Sequence, residues 1–347
     1  MKNILYMELL DDNYGNKAFD KNIIKVLKSV CNLTVSCQTG WFDEREPGVK
    51  YYEYDYSKNK NGTSRKAVYS RNYQSIKVAV SLDKKHKFDY IFFASYHTVL
   101  FPIVRLLVRR FKKRVFILHH NNIDNINKSF RLRLLFRTYS KAANHFVLEP
   151  FIKNHLIEKY HIKSSKIFYL PHPLNINNLS GSIKMYDCVG ISNSNDESFV
   201  KSVISFENQT KAFKKSGKKV ILRSKEYQYD DDYLKIIKGK LTDDEYLDYI
   251  NRARVMFLPF PETFQFRTSG TVVDAFSNHI SVVGTHIPLL VSLSKDYPSI
   301  CSTISTVEDF AHVILYGRQV DNLDFEKYIE LHSDDKIEDV FKTTFGL

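Results

Sequence analysis

The chain has 347 residues, of which 43% are hydrophobic and 26% are charged, as in an ordinary folded globular protein. This length exceeds one typical domain, and folding removes roughly three quarters of the unfolded chain's surface from water, so two hydrophobic cores are possible. The sequence has no long low-complexity tract and no repeat at solenoid spacing. Disordered and solenoid proteins are therefore excluded.

The net charge of +12 at pH 7 belongs to the first half of the chain. Residues 1–180 hold 31 basic and 14 acidic residues, a net charge of +17, whereas residues 181–347 hold 20 basic and 25 acidic residues, a net charge of −5. The segment 105–141 is the most basic, with eleven Lys and Arg residues against one acid, Asp124. Its apolar and cationic residues recur at helical spacing. This pattern predicts either an amphipathic surface for an anionic membrane or two helices with charged outer faces.

Other partners and locations are less compatible with the sequence. No nucleic-acid recognition module accompanies the basic segment, so we expect no nucleic acid. The cysteines form no CxxC pair, which excludes a zinc ribbon or a disulfide framework and indicates a reducing compartment. No apolar window approaches the roughly 20 residues of a membrane span, and the run Ile4–Met7 is too short for a secretory signal. We expect a cytoplasmic protein, with a peripheral position on the inner face of the membrane as the alternative.

Short apolar runs alternate with segments of helical period along the whole chain. The runs predict strands over residues 4–9, 33–37, 90–93, 115–118, 146–148, 167–170, 186–191, 220–222, 234–237, 255–258, 280–284 and 300–302. The helices predicted between them include residues 18–30, 130–143, 151–160, 243–253 and 271–277. Continuous apolar strands that alternate with helices are typical of parallel sheets covered on both faces.

The strands fall into two series, and this arrangement predicts an α/β protein with two Rossmann-like, doubly wound parallel-sheet domains facing a cleft. The expected bounds are an N-terminal domain at 1–172, a linker at 173–182, a C-terminal domain at 183–325 and a C-terminal helix at 326–347 that docks back on the first domain. Residues 51–75 fit no clean period, and the polar middle of this segment predicts a mobile loop. Because ligands of such sheets bind beyond the carboxyl ends of the strands, functional residues are expected just after strands.

Four segments in this order resemble a GT-B glycosyltransferase, most closely the large retaining family of bacterial capsule, exopolysaccharide and O-antigen assembly. They are YGNKAFDKNIIKVLKSV, KAANHFVLEPFIKNHLIEKYHIKSSKIFYLPHPLN, LTDDEYLDYINRARVMFLPF and RTSGTVVDAFSNHISVVGT. The resemblance implies transfer of a sugar from a nucleotide-sugar donor to a glycan or lipid-linked glycan acceptor. It implies no cofactor and no catalytic metal, and front-face attack with retention.

The sequence also departs from this family. Many members carry a Glu-Gly-Phe-Gly element followed by a second Glu. Here the later position is Asp274, and Glu262 is the nearest acid to the earlier one, so Glu262 is a candidate catalytic residue. The segment VGISNSNDESFV lacks the Arg and Lys-Gly pair that usually follows this strand. The chain therefore predicts a divergent member. A non-catalytic GT-B-like partner, an inverting transferase and a nucleotide-sugar epimerase remain as alternatives.

The polar stretch RTSGT lies between a predicted strand and a predicted helix. A diphosphate leaving group needs backbone N–H groups at a helix start, together with cations. A glycine lets the backbone approach closely, hydroxyl groups can cap or donate, and an arginine can contact phosphate oxygens. Asp274 lies one turn into the helix, at the place of the family's later Glu, and the resemblance implies that it accepts the ribose hydroxyls. The candidate donor-binding residues are Arg267, Thr268, Ser269, Gly270, Thr271 and Asp274. A plain helix cap is the simpler interpretation of the same residues.

Three further groups of residues follow predicted strands. Arg223 and Lys225 could supply the missing positive charge, or could be a solvated strand end. In the family that the chain resembles, a His at this place approaches the donor sugar, which makes His119 and His120 candidates for that contact. We favour His120 because it lies further out of the strand, and a structural histidine hydrogen bonded at the strand end is the alternative. Adjacent histidines do not share one face of a strand, so a metal pair is excluded there. The loop Gly15, Asn16 and Lys17 is expected on the acceptor side, although a tight turn without function would look the same.

Overall fold

The computed structural model describes residues 1–9, 16–54, 65–99, 114–176 and 183–347. The chain divides into two compact units. Unit 1 contains Met1–Pro173, Phe266–Thr268 and His332–Leu347, and unit 2 contains Leu174–Gln265 and Ser269–Leu331. The chain thus enters unit 1 again for three residues in the middle of unit 2 and returns to it at the C-terminus.

Unit 1 is built on a seven-stranded parallel sheet with the order β3-β2-β1-β4-β5-β6-β7. Its strands are β1 Asn3–Met7, β2 Asn32–Gln38, β3 Lys50–Tyr54, β4 Tyr90–Phe93, β5 Val115–His119, β6 Asn144–Val147 and β7 Ile167–Tyr169. The strand order reverses direction beside β1, between β2 and β4. In doubly wound sheets this switch point is where ligands bind, at the carboxyl ends of the strands.

Helices cover both faces of this sheet. They are α1 Lys17–Val30, α2 Arg65–His86, α3 Asn122–Lys128, α4 Phe130–Tyr139 and α5 Pro150–Tyr160. Helix α1 buries Ile23, Ile24 and Leu27 against one face, because these residues recur at the helical period. Phe136 and Tyr139 of α4 pack in the core on the other face. The strands between the two cores are buried on both sides, which explains their continuous apolar runs.

Unit 2 contains a second seven-stranded sheet with the order β10-β11-β9-β8-β12-β13-β14. Its strands are β8 Tyr186–Gly190, β9 Val220–Ser224, β10 Tyr229–Asp230, β11 Leu234–Lys238, β12 Ala253–Leu258, β13 Ser281–Thr285 and β14 Cys301–Ile304. The pairs are parallel except for the short edge strand β10, which is antiparallel to β11.

The helices of unit 2 lie between its strands and after the last strand. They are α6 Glu197–Thr210, α7 Ala212–Ser216, α8 Asp243–Arg252, α9 Gly270–Ser277, α10 Pro288–Asp296, α11 Val307–Tyr316 and α12 Asn322–Leu331. Thr242 before α8 and Thr306 before α11 each form a capping box with an acid three residues later. Asp196 caps α6 by accepting from two backbone N–H groups. The N-cap Ser269 of α9 makes no side-chain cap, and neither do Lys211 before α7 and Ile287 before α10.

The chain ends in unit 1 with helix α13, Asp334–Phe345. Phe341 and Phe345 of this helix are fully buried in the core beside α1. Lys25 of α1 also pairs with Asp334 at 2.8 Å. The sequence predicts a single terminal helix from residue 326, but the structure has a break at His332 and Ser333. The Ser333 side chain starts α13 by accepting from a backbone N–H.

The fold class predicted from the sequence is confirmed, since two mostly parallel sheets alternate with helices. The sequence pattern assigns no element to residues 51–75, but β3 continues to Tyr54 and α2 begins at Arg65. Edge strand β3 pairs only with β2 and is half-exposed, so it shows no apolar run. The middle of that segment, Gly15, most of the linker and residues 105–113 lie outside the described residues.

Within the described part of the chain, no helix is both long enough and apolar enough to cross a bilayer.

Gly284 gives a test of the packing of unit 2. A Cβ atom at this position would overlap the Leu258 carbonyl oxygen and the Leu290 side chain, since β12 and α10 approach it closely. We expect Gly284→Ala to lower the free energy of unfolding by about 2 kcal/mol in urea denaturation, the usual cost of overpacking. Gly270→Ala is the matched control, since a methyl group there would meet no described atom of another element within 4 Å. Equal stability of the two variants would contradict this packing.

Candidate functional site

The start of α9 has backbone donors without partners. The N–H groups of Val272 and Val273 bond to the Ser269 carbonyl oxygen at 3.1 and 3.2 Å. The N–H groups of Gly270 and Thr271 have no acceptor among the described residues. Gly270 is exposed, and the space around its Cα is open. The positive end of the α9 dipole therefore lies at an accessible surface, as an anion-binding helix start requires.

Asp274 is held firmly one turn further along α9. Its two carboxylate oxygens accept from Asn175 Nδ2 at 2.9 Å and from the Tyr246 hydroxyl at 2.7 Å. Tyr246 also lies 3.4 Å from the Thr271 hydroxyl. Burial raises the pKa of Asp274, while the two hydrogen bonds lower it. Sequence reasoning missed Tyr246 and Asn175, because nothing in their local pattern shows that they reach α9.

Arg223 lies at the carboxyl end of β9 and is only 5% exposed. Its guanidinium donates to Asn193 Oδ1 in the loop after β8 and to the Gly239 carbonyl. Burial lowers its pKa, and the carboxylate of Glu197 partly offsets this. The Arg223 guanidinium therefore contacts the loop after β8. This loop belongs to the segment that lacks the Arg and Lys-Gly pair of the family that the chain resembles. Lys225 is exposed, and its backbone N–H donates to Glu197 at 2.9 Å.

Two residues of the RTSGT stretch belong to unit 1. Arg267 Nε lies 3.0 Å from Asp124 Oδ2, an acid that is nearly fully buried at the start of α3. The Thr268 hydroxyl donates to Glu149 Oε1 at 2.9 Å, just before α5. The neighbouring Phe266 donates its N–H to Asp124 at 2.7 Å. Both side chains are therefore bonded to acidic residues of the protein. A phosphate role for Arg267 and Thr268 stays a prediction.

The two candidate histidines after β5 lie in different environments. His119 is fully buried, and both of its ring nitrogens are hydrogen bonded, to Tyr96 and to His145. Its ring is therefore not available to a sugar. His120 is partly exposed and packs edge-on against Phe19 at 5.0 Å. Burial lowers the pKa of His120 to about 3, although a hydrogen bond with the Ala94 backbone raises it, so the ring is neutral at pH 7. Its Nε2 is a buried atom and has no partner among the described residues.

The carboxyl end of β1 carries a buried acid pair. Glu8 is 1% exposed and Asp20 is fully buried. Asp20 accepts from the Tyr6 hydroxyl at 2.5 Å and from Trp41 Nε1 at 3.1 Å. Burial raises the pKa of Asp20 to about 7, although hydrogen bonds from Tyr6, Trp41 and Glu8 lower it. Two carboxyl groups in contact share a proton, because both cannot ionise cheaply.

One acceptor-side candidate, Lys17, lines a small cavity. Lys17 and Lys21 of α1 and Trp41 and Phe42 of the loop after β2 line a space of about 290 Å³. Lys17 Nζ lies 5.9 Å from the centre of the Trp41 ring. Asn16 is buried before α1, and its Nδ2 meets no acceptor in the described part of the chain. Gly15 lies outside the described residues.

The last of the candidate catalytic residues is Glu262. Glu262 is exposed in the segment after β12. Across the described ranges, no three His, Cys, Asp or Glu side chains are grouped so that they could hold a metal ion.

Comparison with known proteins identifies the architecture. No family model matches the sequence, and no curated protein matches it. Solved structures do match over essentially the whole chain. Sucrose-phosphate synthase from Thermosynechococcus elongatus is 10% identical with a TM-score of 0.72, and the alignment covers 100% of both chains. Anabaena Alr3699/HepE, solved in complex with UDP and glucose, is 10% identical with a TM-score of 0.67 and the same coverage. The lipopolysaccharide outer core galactosyltransferase WaaB is 12% identical with a TM-score of 0.63, covering 99% of both chains.

The chain therefore has the GT-B fold. The fold implied by the sequence resemblance is confirmed. At these identities the comparison establishes architecture, and the activity has to be argued from the site.

The acid pair has an optical reporter, because Trp41 is the only tryptophan of the chain and its indole N–H bonds to Asp20. Asp20 has a folded pKa of about 7, above its unfolded value of 3.8, so its protonated form favours folding and this contribution is lost as pH rises towards 7. We expect Trp41 emission to titrate with a midpoint near pH 7, since ionisation of Asp20 changes the acceptor of the indole. Asp20→Asn should abolish the transition. A midpoint below pH 5 in the wild-type protein would contradict the shared proton.

Proposed function

We propose that the protein is a glycosyltransferase that binds a nucleotide-sugar donor on unit 2 and transfers the sugar to a glycan. The observation that carries this proposal is the open N-terminus of α9, with Ser269, Gly270 and Thr271 at its start and Asp274 one turn further on. A nucleoside diphosphate matches these groups in order. Its phosphate oxygens accept from the backbone N–H groups, and the Asp274 carboxylate accepts from the ribose hydroxyls.

The charge on the leaving diphosphate grows as the sugar bond breaks. Fixed N–H groups at a helix start stabilise that charge without reorganising, which is how electrostatic catalysis is usually achieved. Arg223 is the proposed cation beside this helix start, since it lies at the carboxyl edge of the same sheet. Its bonds to Asn193 and to Gly239 hold the guanidinium in one orientation. Lys225 is exposed next to it and adds charge at the rim.

His120 is the proposed contact to the donor sugar. A ring whose pKa is about 3 is neutral at working pH and is a weak base. Such a ring orients a hydroxyl group by a hydrogen bond but does not remove a proton efficiently. This character fits front-face transfer with retention, in which the leaving diphosphate rather than the enzyme takes up the acceptor proton. Glu262 is kept as the candidate acid near the donor.

The proposed acceptor is lipid-linked and belongs to a surface polysaccharide such as a capsule or exopolysaccharide. Helix α4 supports this part, because its outer face combines apolar and basic residues. Phe130 and Leu134 are 65% and 46% exposed, and Arg131 and Arg137 are exposed beside them. An anionic membrane surface attracts such a face, with about 1 kcal/mol for each basic residue near it. The protein would then work at the cytoplasmic face of the membrane.

Nucleotide binding tests the proposal. We expect one of UDP, GDP or CDP to raise the melting temperature, since ligand at 100 times its Kd stabilises by about 2.7 kcal/mol. Gly270→Glu should weaken this binding at least tenfold, because it places a negative charge at the proposed phosphate site. The same substitution should not destabilise folding, since acids are favoured at a helix start. Isothermal titration calorimetry measures the affinity.

Gly270→Ala is the control for this substitution, as it adds bulk without charge. If no nucleotide binds the wild-type protein, the non-catalytic alternative is favoured. If a nucleotide binds equally well to the Gly270→Glu variant, the site lies elsewhere. Once a donor is known, the configuration of the product separates retention from inversion.

The membrane partner is tested by flotation with vesicles rich in phosphatidylserine. We expect the protein to float with the vesicles at low salt. Arg131→Gln with Arg137→Gln should lower the partition coefficient about thirtyfold, because two basic residues contribute about 2 kcal/mol. Lys201→Gln with Lys295→Gln on unit 2 removes the same charge from other exposed positions and serves as the control. Equal loss in both double variants would show that net charge, not the α4 face, causes the binding.

A further inference from the structure

A line of hydrogen bonds crosses the interior of unit 1 behind His120. The Tyr96 hydroxyl lies 3.0 Å from His119 Nδ1, and His119 Nε2 lies 2.9 Å from His145 Nδ1. His145 Nε2 lies 2.7 Å from the Ser140 carbonyl oxygen. All four residues are at most 2% exposed. The two imidazole planes differ by only 4°, so the rings meet edge to edge in the geometry of a strong hydrogen bond.

The donor and the acceptor of each hydrogen bond in this line follow from the last contact, which is to the Ser140 carbonyl oxygen. A carbonyl oxygen can only accept, so His145 Nε2 carries a hydrogen and donates it to Ser140. His145 Nδ1 of a neutral ring must then accept, and it receives the N–H of His119 Nε2. His119 Nδ1 is in turn an acceptor, and it receives the Tyr96 hydroxyl proton. Each ring has one tautomer, with the proton on Nε2.

Burial keeps both rings neutral. The ring of Phe136 packs edge-on against His119 at 6.0 Å and against His145 at 6.1 Å. Burial in these surroundings lowers the pKa of His145 to about 4 and that of His119 well below its ordinary value. Burial also raises the pKa of Tyr96, so its hydroxyl keeps its proton. The line therefore has a single protonation pattern across the physiological range.

Tyr96 also forms hydrogen bonds with residues on both sides of His120. Its hydroxyl holds the ring of His119, and its carbonyl oxygen accepts from Asn122 Nδ2 at 2.9 Å. His120 lies between these two attachments, at the end of β5 and before α3. His119 and Asn122 cannot shift without breaking a hydrogen bond to Tyr96. The backbone that carries His120 is therefore fixed from two directions.

We propose that Tyr96, His119 and His145 are positioning residues that set the ring of His120 for the donor sugar. They are not a proton path, because the line ends on a carbonyl oxygen that cannot pass a proton on. This corrects the expectation that His119 itself meets the sugar, and gives that residue a role through its neighbour. The inference rests on the proposed function only in what His120 contacts, while the hydrogen-bond line stands on the contacts alone.

The tautomers are measured by ¹⁵N–¹H correlation spectra of the histidine side chains in the full-length protein, with signals assigned through single His→Gln variants. We expect His119 and His145 to be neutral with the proton on Nε2 from pH 6 to pH 8. A proton on Nδ1 of either ring, or an imidazolium form at pH 7, would overturn the proposal. The tautomers are read from the spectrum of the wild-type protein, so interpreting them needs only the wild-type fold.

Tyr96→Phe tests the positioning itself, because it removes one hydroxyl and keeps the ring. We expect the ring signals of both His119 and His120 to move by more than their linewidths. Tyr229→Phe removes a tyrosine hydroxyl from unit 2 and should leave both unchanged. If the His119 signals move and those of His120 do not, His120 is held independently and the proposal fails. Loss of nucleotide binding would instead affect the proposed function and leave these spectra as they are.

Discussion

The parallel pairing of strands is the constraint on which the rest of this structure depends. A parallel strand can follow its neighbour only through a crossover, so helices are forced onto both faces of each sheet. The carboxyl ends of the strands then lie at one edge of each sheet, and most of these ends are followed by a loop and a helix start. The polar side chains discussed above follow such ends: Glu8 after β1, His120 after β5 and Arg223 at the end of β9. The chemistry is concentrated where parallel topology leaves backbone donors exposed.

Side chains cap the starts of three helices in unit 2. Thr242, Thr306 and Asp196 satisfy the first N–H groups of their helices with side-chain oxygens. Ser269 does not do so, and the N–H groups at the start of α9 remain exposed. A missing cap costs about 1 kcal/mol of stability. Because α7 and α10 also lack a side-chain cap, the proposed anion site rests on the unpaired N–H groups and the exposed Gly270 of α9 rather than on the missing cap alone. The firm hydrogen bonds on Asp274 one turn away give the same helix a fixed acceptor for hydroxyl groups.

Much of this could be predicted from the sequence, because apolar periodicity reports burial directly. The buried parallel strands were found for that reason, whereas the half-exposed edge strand β3 and the two-residue β10 were missed. At the candidate site, RTSGT was recognisable as a polar break between a predicted strand and a predicted helix, and Asp274 from the resemblance to the family. Tyr246 and Asn175 were not, since they reach Asp274 from 28 and 99 residues away. The same limit concealed the line from Tyr96 to His145 and the pairing of Arg267 with Asp124, both of which depend on tertiary contacts.

A structure of the protein with UDP bound tests the central claim most directly. The account predicts that the diphosphate oxygens lie within hydrogen-bond distance of the backbone N–H groups of Gly270 and Thr271, with the ribose hydroxyls on Asp274. Arg223 should contact or face the same diphosphate. A nucleotide bound at any other edge of unit 2, with the start of α9 left empty, would contradict the account.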